Sequence, residues 1–131
     1  MKKFWSGLLI VCLLLVFSGC SSSNEADDLT MDKFIEAFNN SGEEISSTVP
    51  LEENKGIDKN KKPKYEMIQA NDGLIFYLGK NPVKIYEYET VEKLKKAKEK
   101  YSSIMEDWSI NGRFVLETKN ERAKEIFNSV E

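Results

Sequence analysis

This chain of 131 residues contains two cysteines and no histidine. These two residue types supply the usual thiolate nucleophile, imidazole base and transition-metal ligands of proteins. Cys12 lies inside an apolar run near the N-terminus, and Cys20 follows that run in the sequence Phe17-Ser18-Gly19-Cys20. The absence of histidine excludes Ser-His-Asp and Cys-His catalysis and the common zinc and copper sites. The sequence also contains no P-loop and no dinucleotide-binding glycine cluster. The thiol of Cys20 is therefore the group whose chemistry needs explaining first.

The residues before Cys20 have the three parts of an export signal. Met1-Lys2-Lys3 is positively charged, residues 8–17 are uncharged and apolar, and Ser18-Gly19 supplies the small residues next to a cleavage site. The end of this region resembles a bacterial lipobox, with Phe17 in place of the usual leucine. In a lipobox the cysteine sulfur receives a diacylglyceryl group and the cysteine becomes the new N-terminus. The resemblance implies a signal peptide over residues 1–19 and lipidation of Cys20.

Two alternatives to a lipid anchor are an uncleaved transmembrane helix and an ordinary secretory signal followed by an unrelated cysteine. The uncharged run 4–17 has 14 residues, fewer than the roughly 20 that a membrane span needs. Two acyl chains on one cysteine hold a protein stably on a membrane, whereas a single chain binds marginally. We therefore expect a protein anchored to the cell membrane through Cys20, with its domain on the extracytoplasmic face.

The composition of the chain without its signal argues against several classes of partner and cofactor. Removal of Lys2 and Lys3 with the signal takes the net charge from −3 to −5, which argues against a nucleic-acid partner. No disulfide can form once Cys12 is removed and Cys20 is lipidated. No stretch has the acidic spacing of a calcium loop. We expect neither a cofactor nor a metal ion.

Hydrophobic periodicity and turn residues predict one small domain over residues 29–131, preceded by a polar, flexible tether over residues 20–28. The sequence does not decide whether residues 43–63 are ordered. Predicted elements are a helix capped by Thr30, strands at 65–70, 74–78 and 83–88, a helix at 91–107 capped by Thr90, a hairpin at 109–118 and a helix capped by Asn120. This order predicts an α+β fold, with an antiparallel sheet of about four to five strands and helices packed on one face. We expect five core side chains to be largely buried: Phe76, Leu94, Ile104, Phe114 and Phe127.

Two stretches of the predicted sheet carry a resemblance to known proteins. They are Met67-Ile68-Gln69-Ala70-Asn71-Asp72-Gly73-Leu74 and Val83-Lys84-Ile85-Tyr86-Glu87-Tyr88, followed by a helix rich in Glu and Lys. The chain resembles a functionally uncharacterised group of small membrane-anchored lipoproteins of low-GC Gram-positive bacteria. The resemblance implies membrane anchoring and a similar fold, and it implies no catalytic residue.

Three classes of function are compatible with these features. The first is a non-enzymatic binding or interaction module at the membrane surface, with a protein partner at the cell envelope. Its candidate interaction face would consist of Tyr65, Tyr77, Tyr86 and Tyr88, because tyrosine suits recognition surfaces. The second is a small-ligand or ion binder with a pocket between sheet and helices, which an apolar concavity lined by Tyr77, Tyr86 or Trp108 would favour. The third is an enzyme based on a pair of carboxylates. Because no carboxylate pair stands out, we predict no catalytic residue and no enzymatic activity.

Overall fold

The computed structural model describes residues 28–48 and 56–131. The predicted signal peptide, Cys20 and the tether up to residue 27 lie outside the described residues. The chain order is α1 (Met31–Asn39), β1 (Ile45–Ser46), a 3₁₀ helix (Tyr65–Ile68), β2 (Asp72–Leu78), β3 (Asn81–Glu87), α2 (Val91–Lys100), α3 (Ser102–Met105), β4 (Ser109–Asn111), β5 (Phe114–Glu117) and α4 (Glu121–Ser129).

The five strands form one antiparallel sheet in the order β1-β2-β3-β5-β4. Two-residue turns connect β2 to β3 and β4 to β5. In the second turn Gly112 has a φ of 61°, a conformation that only glycine adopts readily at the first central position of a hairpin. The sheet and the helices make a small single-domain α+β fold, as the sequence predicts.

One face of the sheet, called here the phenylalanine face, carries the larger core. Alternate residues of β2, β3 and β5 point to this side, and α1 and α4 cover it. The five phenylalanines of this core are fully buried. They are Phe34, Phe38, Phe76, Phe114 and Phe127.

The opposite face, called here the tyrosine face, carries a second and smaller core. Tyr86, Tyr88 and Val115 point to this side and pack against Leu94 of α2 and Met105 of α3. Helices therefore cover both faces of the sheet, whereas the sequence led us to expect them on one face. The physical reason is that β3 and β5 carry large apolar groups on both sides, and each side requires cover.

Residues 65–70 were predicted as a strand, and this prediction is wrong. Residues 65–68 form a 3₁₀ helix, and Gln69 ends it with a φ of 59°. Tyr65 and Ile68 lie against the second core, while Glu66 and Met67 are exposed. This spacing of three places the apolar residues on one side of a 3₁₀ turn, where residues i and i+3 align.

The helix predicted at 91–107 is interrupted at Tyr101, which has φ −111° and ψ 33°. α2 ends at Lys100, and the short helix α3 occupies residues 102–105. The two serines after Tyr101 are poor helix-interior residues, which favours a break here. After the break Met105 is buried and Ile104 is 56% exposed. The prediction of a buried Ile104 is wrong, whereas Phe76, Leu94, Phe114 and Phe127 are buried as expected.

The helix starts follow the predicted capping residues. Thr30 and Thr90 accept hydrogen bonds from the N–H groups of Lys33 and Lys93, and Asn120 accepts one from Ala123. Within residues 28–48 and 56–131, none of the helices has the length and apolar character needed to cross a bilayer.

Candidate functional site

The four tyrosines proposed as an interaction face do not form one. Tyr86 is 5% exposed and Tyr88 is 1% exposed, while Tyr65 and Tyr77 are half-buried. The hydroxyl of Tyr88 donates a hydrogen bond to the carbonyl oxygen of Ile68 at 2.8 Å, and burial raises the pKa of this hydroxyl to about 12. The correction follows from the packing of α2, α3 and the 3₁₀ helix, which cover the rings that the strand pattern alone leaves exposed.

A groove of about 320 Å³ opens on the tyrosine face beside these covered rings. It lies between α3 and the segment after it on one side and the ends of β3 and β5 on the other. We call it the Trp108 groove. Its lining consists of Asn81, Pro82, Lys84, Ile104, Asp107, Trp108, Glu117, Thr118 and Lys119.

Trp108 is positioned by a stack with a buried tyrosine. Its indole is nearly parallel to the ring of Tyr86, with centroids 5.4 Å apart and planes 5° apart. The backbone N–H of Trp108 also donates to the carbonyl oxygen of Met105 at 3.2 Å, directly after α3. A half-buried aromatic ring held at both its side chain and its backbone loses little conformational freedom when it contacts a ligand.

The floor of the groove contains a cross-strand network. Lys84 of β3 and Glu117 of β5 are directly opposite each other in the sheet register, and Lys84 Nζ lies 3.6 Å from Glu117 Oε2. The hydroxyl of Tyr86 donates to Glu117 Oε1 at 2.8 Å. Burial first, and then this bond to a carboxylate, raise the pKa of Tyr86. Tyr86 thus connects the charged floor to the stacked indole.

The rim of the groove is exposed and mixed in character. Ile104 is one apolar member of the rim, because the break at Tyr101 turns its side chain outward. Asp107 and Lys119 are exposed charged residues, and Pro82 is an exposed apolar ring. Of the residues that line the groove, the sequence alone indicated Trp108 and none of the others. One feature of the sequence could have indicated a polar site on the sheet. It is the presence of an ionic residue, Lys84 or Glu117, in each of two apolar strands.

Arg113 marks the opposite end of the sheet, where the chain enters the domain. Its guanidinium donates to the carbonyl oxygens of Leu29 and Tyr88, each at 3.1 Å, and lies 3.2 Å from a carboxylate oxygen of Glu87. Leu29 itself is buried. β3 runs between the two ends, because it begins at the groove with Asn81 and finishes at Glu87 beside Arg113.

The described residues contain no group of three or more histidine, cysteine, aspartate or glutamate side chains that could hold a metal ion. In the Trp108 groove the two carboxylates belong to Asp107, which is exposed, and to Glu117, which is already bonded to Tyr86. The indole of Trp108 and the polar groups of Lys84 and Glu117 can contact a ligand by stacking and hydrogen bonding.

Comparison of the chain with protein-family models, with curated proteins and with solved structures gives no match in any of the three. The resemblance to small lipoproteins of low-GC Gram-positive bacteria stays a prediction from the sequence.

Proposed function

We propose that this chain is a membrane-anchored, extracytoplasmic binding module that presents the Trp108 groove to a partner in the cell envelope. The observation that carries the proposal is the groove itself. An exposed isoleucine, a stacked tryptophan and a charged floor line one concavity on a face that helices otherwise cover. Tryptophan is enriched among the residues that dominate binding energy at interfaces.

The location follows from the resemblance of residues 17–20 to a lipobox. The short polar segment 21–28 would join an anchor on Cys20 to the end of the domain that holds Leu29 and Arg113. The groove is at the other end of β3. Seven strand residues at roughly 3.3 Å each separate these ends by about 20 Å. This distance supports a groove that is accessible from the envelope.

The surroundings of Glu117 support binding rather than catalysis. A glycosidase of the carboxylate-pair type needs one carboxyl group that holds a proton for the leaving group. Glu117 instead accepts a hydrogen bond from Tyr86 at Oε1 and lies 3.6 Å from Lys84 Nζ through Oε2, so both of its oxygens already face donors within the protein. The other groove carboxylate, Asp107, is exposed.

A second candidate is a small-ligand binder that uses the same groove. The volume of about 320 Å³ supports it, because small-molecule sites begin at roughly 300 Å³. The two candidates share the site and differ in the occupant.

The anchor is tested by replacing each cysteine in turn. Cys20→Ser should abolish lipid attachment and either release the protein to the medium or leave it as an unprocessed precursor. Cys12→Ser is the matched control and should remain processed and membrane-bound. Fractionation and gel mobility of the two variants give the result. A Cys20→Ser protein that fractionates and migrates like the wild type would show that the anchor is wrongly assigned.

The binding site is tested by photo-crosslinking in intact cells. A photoreactive phenylalanine at Ile104 places the probe in the groove, and the same residue at Met67 is the control. Both positions are exposed and apolar, at 56% and 69% exposure, but Met67 lies in the 3₁₀ helix near the start of β2. We expect an adduct from position 104 that is absent from position 67. Equal adducts, or none at 104, would remove the groove as the binding site.

A further inference from the structure

The charges that line the Trp108 groove cancel one another. The lining contains two lysines, Lys84 and Lys119, and two acids, Asp107 and Glu117. Lys84 is already close to Glu117. A strongly charged ligand therefore meets no complementary field in the groove. A neutral polar ligand can use all four groups as hydrogen-bonding partners. This balance disfavours anionic polymers and phosphate headgroups as occupants.

The floor of the groove can accept and donate hydrogen bonds at neighbouring points. A carboxylate has about four acceptor sites and an ammonium group has three donors. Within the groove Glu117 uses one of its acceptor sites for the Tyr86 hydroxyl, and both Glu117 and Lys84 remain 33% exposed. Adjacent hydroxyl groups on a ring match this arrangement, because each hydroxyl can donate to the carboxylate or accept from the ammonium group.

The apolar side of the groove offers a rigid flat surface next to these polar groups. The indole of Trp108 is fixed by its stack on Tyr86, and Ile104 is exposed beside it. Amphipathic aromatic rings suit ligands with one apolar face and one polar edge. A sugar ring has this character, with C–H groups on its faces and hydroxyl groups around its edge.

An extended peptide fits the same surface less well. Peptides that add to a sheet need unpaired backbone groups at a sheet edge. The floor of the groove is built on β3 and β5, and both are interior strands with a neighbour on each side. Recognition at this floor must therefore come from side chains.

We propose that the Trp108 groove binds a neutral, hydroxyl-bearing ring, such as one sugar unit of an envelope glycan. This assignment rests on the proposed function, in which the groove is the binding site on the outer side of the membrane. A volume of about 320 Å³ is near the lower limit for small-molecule sites, so the groove holds one ring at a time.

The chain supplies its own probe for a binding experiment. It contains two tryptophans, and Trp5 lies in the predicted signal peptide, so a purified form from Ser21 onward has Trp108 as its only indole. This form keeps every described residue. Titration with chitotriose, a neutral trimer of N-acetylglucosamine, should change the Trp108 emission in a saturable manner. Co-sedimentation with purified peptidoglycan tests the same chemistry in a polymer, and chitotriose should compete with it.

Two substitutions test whether the groove is the site. Glu117→Gln keeps the shape of the side chain and removes the charge, and it should weaken chitotriose binding at least tenfold. Glu87→Gln is the matched control, because Glu87 is also a cation-paired residue next to a sheet turn but lies at the Arg113 end. It should leave binding unchanged. Trp108→Ala lacks the fluorophore, so its affinity for chitotriose is measured by calorimetry. This variant should bind chitotriose at least tenfold more weakly than the wild type. Melting temperatures establish that each variant is folded.

Several results would overturn the proposal. One is the absence of any saturable response to chitotriose at millimolar concentration, together with sedimentation that chitotriose does not compete. Another is binding to poly(glycerol phosphate) or to a peptidoglycan stem peptide in place of the sugar. If the photoreactive residue at position 104 crosslinks to a protein partner in cells, the proposal of a sugar ligand is wrong, whereas the proposal of a binding module is supported. If chitotriose binds and neither Glu117→Gln nor Trp108→Ala weakens it, the groove itself is wrongly assigned.

Discussion

The two faces of the sheet are packed by different aromatic residues. On the phenylalanine face, Phe34 lies 4.7 Å from Phe114 and 4.9 Å from Phe127, centroid to centroid, and Phe38 meets Phe76 edge-on at 4.8 Å. On the tyrosine face, the rings carry hydrogen-bonding groups that find partners. The hydroxyls of two buried tyrosines bond to a carbonyl oxygen and to a carboxylate.

The difference shows how one small sheet can combine stability and binding. Phenylalanine rings have no polar atom, so they can close a dry core completely. Tyrosine and tryptophan rings pack with one part and retain a polar group for a partner. The groove lies on the face with polar aromatics, and α1 and α4 close the other face. The comparison predicts large stability effects on the phenylalanine face and smaller ones around the groove.

Phe114→Ala should have the largest effect. Phe114 is fully buried and contacts Phe34 and the guanidinium of Arg113. Loss of a buried phenylalanine costs about 3–5 kcal/mol, which is enough to unfold much of a domain of this size. Urea unfolding followed by circular dichroism measures the change. A loss below about 1 kcal/mol would mean that the phenylalanine face is not the main core.

Alkaline pH should have the second-largest effect, by lowering the free energy of unfolding through the buried tyrosines of the tyrosine face. The pKa of Tyr88 is raised from 10 to about 12 in the fold by burial. A raised pKa in the folded state gives stability that is complete below about pH 10 and disappears as the pH rises to about 12. The shift corresponds to about 2–3 kcal/mol, and Tyr86 acts in the same direction. Unfolding free energies between pH 8 and pH 12 test this, with phenolate absorbance identifying the titrating group.

Tyr88→Phe should cost about 1–2 kcal/mol at neutral pH. The ring remains, but the carbonyl oxygen of Ile68 loses the bond that Tyr88 donates at 2.8 Å, and a buried unsatisfied group is unfavourable. The same variant should also have a flatter pH profile above pH 10. Unchanged stability together with an unchanged profile would show that the pKa of Tyr88 is the same in the folded and unfolded states.

Ile104→Ala should have the smallest effect on stability, within about 0.5 kcal/mol, because its side chain is 56% exposed. Leu94→Ala is the control on the same face. Leu94 is buried and should cost about 2–5 kcal/mol. Thermal unfolding of the pair measures the difference. A large loss from Ile104→Ala would mean that the groove rim belongs to the core.

The sequence predicts most of the local structure because its signals are local. Thr30, Thr90 and Asn120 cap the helices as expected, and the runs at 74–78 and 83–88 lie in β2 and β3 apart from the last residue of the second. The prediction of a single helix at 91–107 is wrong at Tyr101, because the apolar spacing continues through the break that the two following serines favour. This break also exposes Ile104.

The groove could not be predicted, because its parts meet only in the fold. Lys84 and Glu117 are 33 positions apart in the sequence, and the register of β3 with β5 places them opposite each other. The stack of Trp108 on Tyr86 depends on where α3 ends. The exposure of each tyrosine depends on the helices above it, and the pattern of a strand contains no information about them.

Arg113 also determines how the domain bears a mechanical load. Tension on a lipid anchor would reach the domain at Leu29, whose carbonyl oxygen is bonded to Arg113. The same guanidinium is bonded to Tyr88 and lies beside Glu87 at the end of β3. The bond between Leu29 and Arg113 would therefore carry part of this force to the end of β3, the central strand of the sheet, and the groove lies at the other end of that strand.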